Sequence, residues 1–156
     1  MKFYLTLAAA GAALILQAGA APADDSAAAA YADIEATLGQ VPSLFTAFPE
    51  SGIAGAWAEF KGVQLNPDTA LDGKTKELMG LAVASQIPCA YCVYFHTAAA
   101  KANGASEEEI KEAVAMAAIV RHWSTVMNGM QVDLATFKQE TDDILARAGK
   151  TAAASN

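Results

Sequence analysis

Apolar residues recur at a helical period along nearly the whole chain. Tyr31, Ile34 and Leu38 fall three and four apart and stop at Gly39, as one face of a short helix does. Pro42 to Phe48 is an apolar piece of one or two turns, closed by Pro49. From Ser51 a longer helix is predicted, with Ile53, Trp57, Phe60 and Gln64 on one stripe. The aromatic residues of that stripe are expected in the core. Asn66-Pro67-Asp68 marks a loop. The next helix begins near Asp72, and its interior from Leu78 to Ala84 is apolar on every side, which predicts burial at the centre of a bundle. A further helix runs from about Cys89 to Asn103, with Gly104 as its C-terminal cap. Ser106-Glu107-Glu108-Glu109 forms a capping box. It opens a helix that buries Ile110, Val114, Ala117 and Val120 and continues to about Met130. Leu134, Phe137, Ile144 and Leu145 mark a last amphipathic helix. The pattern contains no alternating strand, internal repeat, phosphate-binding glycine loop or Ser-His-Asp arrangement. The expected fold is all-α, a compact bundle of about six to seven helices.

The two ends differ from this pattern. Lys2 followed by the uncharged apolar run Phe3 to Leu16, with small residues at Ala18-Gly19-Ala20 and Ala21-Pro22-Ala23, reads as a signal peptide over residues 1–23. An uncleaved membrane anchor is the alternative, since the uncharged stretch reaches Ala23. Residues 24–30 read as a linker, 31–148 as the helical domain and 149–156 as a disordered small-residue tail. Export predicts a periplasmic or secreted protein in an oxidising compartment, where a cysteine pair tends to be disulfide-bonded. The formal charge is -7. Such a balance argues against nucleic acid and against an anionic membrane surface as partners.

The candidate chemistry is concentrated between Glu77 and His96. Both cysteines of the chain, Cys89 and Cys92, lie there with one of its two histidines. On a helix, separations of three and four place Cys89, Cys92 and His96 on one face. Pro88 favours a helix start at this point. A thiol in the first turn sits beside unpaired amide N–H groups, which favour the reactive thiolate. Glu77 belongs to the preceding helix, and a carboxylate at the edge of a buried helix must be hydrogen-bonded or protonated. Two thiols, a base and an acid make a redox site able to move protons with electrons. Two other readings of the pair stand beside it, an inert structural disulfide and a zinc site. The zinc site is weakened by the lack of a second ligand pair. His122 is assigned to the surface or to packing.

The pattern Glu77, eleven residues, Cys89, two residues, Cys92, three residues, His96 resembles the signature of the alkylhydroperoxidase D branch of the carboxymuconolactone decarboxylase-like superfamily. The flanking runs Lys76 to Leu78, Ala98 to Ala105 and Glu108 to Ile110 are similar to that family's core as well. The resemblance covers roughly residues 40 to 130. It implies an all-helical fold and assembly as a homotrimer or hexamer. It also implies a thiol peroxidase that uses no cofactor or metal, in which Cys92 forms the sulfenic acid, Cys89 donates a proton and resolves it, and Glu77 and His96 relay protons. Tyr91 stands where some members carry a relay histidine. The partners implied are a hydroperoxide and an unidentified thiol reductant, protein or small dithiol. Exchange with a periplasmic protein partner, or a non-enzymatic helical oligomer with a structural disulfide, are the alternatives. The superfamily's decarboxylases lack the cysteine pair.

Overall fold

The computed structural model describes residues 23–154. Among these residues there is no strand. Seven α-helices follow one another: α1 (Ala23–Leu38), α2 (Ser43–Thr46), α3 (Glu50–Glu59), α4 (Gly73–Ala84), α5 (Ala90–Ala102), α6 (Glu107–Gly129) and α7 (Leu134–Ala154), with a π-turn at Phe60–Gln64 after α3. The expected signal peptide lies, Ala23 apart, outside the described residues. No helix among them is long and apolar enough to cross a membrane. The chain divides between Val63 and Gln64 into two compact units.

In the first unit α1 packs against α3, with the single turn of α2 beside it. Ile34, Ile53, Trp57 and Phe45 are buried. Phe45 meets Trp57 and Phe60 edge-on at centroid distances of 5.3 and 5.5 Å, so the aromatic residues are core, as their spacing implied. Residues 24–30 are not a linker: they form the first half of α1, and Ala27 and Ala30 are buried. Alanine is the strongest helix former, and a run of it makes a smooth face on which a neighbouring helix can lie closely. A polar-to-alanine stretch therefore continues the Ile34 stripe upstream.

In the second unit α4 is the central element and packs against both α5 and α6. Asp72 caps it by accepting from the Thr75 amide at 2.7 Å. Leu81, Ala84, Ala100, Ile110 and Ala117 form the core. Two expectations fail here. The apolar interior of α4 is not covered on every side, because Met79 and Val83 are exposed, and on α6 so are Val114 and Val120. Two packed neighbours cover only part of a helix's circumference. The end of the chain differs too. The proposed disordered tail 149–156 is helical as far as Ala154. Along Leu134 to Gly149 every residue except Thr141 is exposed.

A candidate redox site on α4 and α5

Local sequence places each group of the site. Pro88 is followed by Cys89, which is the N-cap of α5 in extended conformation (φ -115°, ψ 90°). Its sulfur takes the place a Ser or Asp oxygen usually occupies and accepts from the Cys92 amide at 3.2 Å, which satisfies one of the orphan donors of the first turn. Cys89 and Cys92 are joined as a disulfide, with S–S 2.01 Å and Cα–Cα 5.3 Å. His96 follows one turn along the same helix. At the far end of α5, Asn103 is the C-cap and Gly104 takes φ 84°, so the expected glycine stop is present.

Glu77 reaches this helix from α4. Its side chain is buried (the residue is 4% exposed), and both oxygens have partners. Oε2 lies 2.7 Å from His96 Nδ1, and Oε1 accepts from Gln64 Nε2 at 3.1 Å. The buried carboxylate is thus satisfied, as burial without water requires. Close approach of the two helices is possible because position 80 is glycine: a Cβ there would overlap His96 Nδ1 and Cε1. The loop entering α5 is held from α6. Arg121 Nε donates to Gln86 Oε1 at 2.7 Å and its terminal nitrogen to Gln86 O at 3.2 Å, while Gln86 Nε2 donates to Ala117 O at 2.6 Å.

Of the four residues singled out in the sequence, the structure joins Cys89 to Cys92 at the start of α5 and His96, one turn further along α5, to Glu77 of the preceding helix α4. Tyr91, between the cysteines, is 89% exposed and does not reach the Glu77–His96 pair. His122 is exposed and stands edge-on to Trp123 at 5.1 Å. Gln64 was not anticipated. Its spacing put it on the stripe of Ile53, Trp57 and Phe60, but a π-turn takes in one residue more than an α-turn, and Gln64 leaves that stripe to meet Glu77. Among the described residues no group of three or more His, Cys, Asp or Glu is arranged to hold a metal ion.

The chain belongs to the carboxymuconolactone decarboxylase family, whose pattern it matches over residues 52–134. Within that superfamily it is alkylhydroperoxidase D-like. The alkylhydroperoxidase AhpD core from Rhodospirillum rubrum superposes with a TM-score of 0.62 at 29% identity, covering 70% of this chain and 83% of that one. A protein of Paracoccus denitrificans described as uncharacterized protein 4 in the cox locus is 35% identical over 85 residues, which is 52% of this chain and 77% of that protein. The span that matches the family, residues 52–134, contains Gln64, Glu77, Cys89, Cys92 and His96 and leaves out α1, α2 and all but the first residue of α7.

Proposed function

We propose that the protein is an exported thiol peroxidase that reduces hydroperoxides through Cys92 and Cys89, with His96 and Glu77 as its proton relay. The observation that carries this reading is the buried Glu77–His96 hydrogen bond at 2.7 Å, one helical turn from the cysteine pair. When His96 donates Nδ1–H to Glu77, the ring's basic nitrogen is Nε2, which can take a proton from the Cys92 thiol directly or through one water. The Cys92 thiolate attacks the outer oxygen of ROOH. The O–O bond breaks, the sulfur is oxidised to sulfenic acid, and the alkoxide leaves as ROH with the proton held by His96. The Cys89 thiol then condenses with Cys92–SOH, forming the disulfide and releasing water. Two electrons from an external dithiol, protein or small molecule, return the pair to its reduced form. In that cycle the Cys89–Cys92 disulfide is the oxidised form that the dithiol reduces.

Nothing in these steps asks for a metal or an organic cofactor, since sulfur carries the electrons and two side chains carry the proton. The superfamily's decarboxylases lack the cysteine pair, and here the pair lies one helical turn before His96 on α5, which favours the thiol reading.

Thiol–disulfide exchange with a protein partner is favoured by one observation. Cys89 caps a helix and its sulfur accepts an amide N–H, an environment that stabilises a thiolate as a leaving group. One experiment separates the two. The mature protein is reduced and treated with hydroperoxide, and sulfenic acid is labelled in wild type, Cys92→Ser and Cys89→Ser. A peroxidase gives label that accumulates in Cys89→Ser, is absent in Cys92→Ser, and is matched by hydroperoxide turnover with dihydrolipoamide or dithiothreitol. No label and no turnover, with mixed disulfides trapped in a Cys variant, would replace the peroxidase reading by exchange.

A further inference from the structure

The structure assigns Gln64 a role that the residue pattern of the site does not contain: it is a positioning residue for Glu77, and through Glu77 for His96. A buried carboxylate has no solvent to fix its rotation about the last side-chain bond, so its partners fix it. Glu77 has two, of different kinds. Gln64 Nε2 donates to Oε1 at 3.1 Å, and Oε2 is left for His96 Nδ1 at 2.7 Å. With one oxygen engaged by the amide, the plane of the carboxylate is set so that the other meets the imidazole ring. That contact in turn selects the tautomer with the proton on Nδ1.

The choice of a neutral amide has a consequence of its own. A lysine or arginine at this place would pair with the carboxylate and take away its effect on the imidazole. Gln64 orients Glu77 and leaves its charge to His96.

The backbone around Gln64 does not depend on this hydrogen bond. Lys76, the neighbour of Glu77 on α4, donates from Nζ to the carbonyl of Asn66 at 2.7 Å. Asn66 also closes its own turn by accepting from the Asp68 amide at 2.9 Å. The segment that carries Gln64 thus stays docked on α4 when the glutamine side chain is replaced.

The kinetic part of the test rests on the peroxidase reading, and the spectroscopic part does not. The full mature chain is labelled with ¹⁵N-histidine, and wild type, Gln64→Leu and Gln64→Glu are compared by NMR at one pH. The chain has two histidines, so His122, exposed on α6, serves as the internal reference. In Gln64→Leu the ¹⁵N shifts of His96 move from a fixed Nδ1–H tautomer toward a mixture. In Gln64→Glu the amide donor is exchanged for a second acceptor, Glu77 Oε1 loses its partner, and the ¹⁵N shifts of His96 move as well. His122 does not move in either variant. Peroxide turnover by Gln64→Leu falls about 10-fold in kcat with an unchanged KM, because the relay is misplaced and the substrate is not. His96 ¹⁵N shifts identical to wild type in both variants would overturn the assignment. Absence of turnover in the wild type would remove the peroxidase reading and leave the NMR result to decide on Gln64.

Discussion

Gly80 shows how closely the site depends on single atoms. A methyl group at this position would overlap the His96 ring, and the ring, as a side chain, is what gives way. Gly80→Ala is expected to gain about 1 kcal/mol of helix propensity and to lose about 1–3 kcal/mol to overpacking. The net change in stability runs from none to a loss of about 2 kcal/mol, while hydroperoxide turnover, on the proposed peroxidase reading, falls at least about 10-fold because His96 leaves Glu77. A variant that keeps wild-type turnover would show that the Glu77–His96 contact is not used. In the first unit, Asp33 carries a different kind of dependence. Lys61 Nζ, 2.8 Å from both of its oxygens, and Trp57 Nε1, 2.6 Å from Oδ2, hold its carboxyl below the usual carboxylate range, the lysine contributing most. A depressed native value means that the unfolded chain takes up the proton first as pH falls. The stabilisation is therefore complete above the ordinary carboxylate range near pH 4 and is lost as pH drops through the lowered value. Measured as Tm against pH, wild type should fall more steeply than Asp33→Asn on the acid side, and the two should run parallel above about pH 6.

The helices differ in how openly the sequence announces them. The capping box of α6 is present in full: Ser106 Oγ accepts from the Glu109 amide at 3.1 Å and Glu109 Oε2 accepts from the Ser106 amide at 2.7 Å. Glu109 also receives Lys74 Nζ at 2.7 Å, so the cap joins the start of α6 to the start of α4. Ser106→Ala should lower stability by about 1 kcal/mol, or about 3 °C in Tm; no change in Tm would mean that the cap is replaced by solvent. Caps of this kind are legible because they are local. Asp72, Gly104 and the Cys-x-x-Cys-x-x-x-His spacing were readable for the same reason, each a matter of a few residues on one backbone. What was not legible depended on the neighbours of a helix. The alanines of α1 become core only because α3 lies against them. Gln64 leaves its stripe because of one inserted residue in a π-turn, which no periodicity shows in advance. The partners of Glu77 were open to the rule that a buried carboxylate must be hydrogen-bonded, but which donor meets it depends on the close packing of α4 and α5 at Gly80.

At the scale of the whole molecule, the unit from Gln64 onward leaves uncovered what its sequence prepares for burial. A groove of about 340 Å³ between α4 and α6 is lined by apolar side chains with Gln86 at its edge. Val83 and Val120 on its walls are 62% and 63% exposed, and Trp123 one turn further along α6 is 55% exposed. Soluble monomers seldom present apolar surface of this kind in one place, and such surface marks an interface. The all-round apolar character of α4 then makes sense as a helix covered on one side by its own chain and on another by a second copy. The prediction is a homo-oligomer in solution, and Val120→Glu is the variant that tests it. The side chain is exposed and lies on α6, away from Glu77, His96 and the cysteines, so the charge does not enter the folded core of one protomer. It would have to be buried without a partner in an interface, which costs several kcal/mol per copy. Sedimentation equilibrium should show an assembled wild type and a variant shifted to monomer, with the far-ultraviolet helical signal retained and the Cys89–Cys92 disulfide still formed. A wild type that sediments as a monomer, or a variant that assembles as the wild type does, would mean that this groove is not the surface at which copies meet.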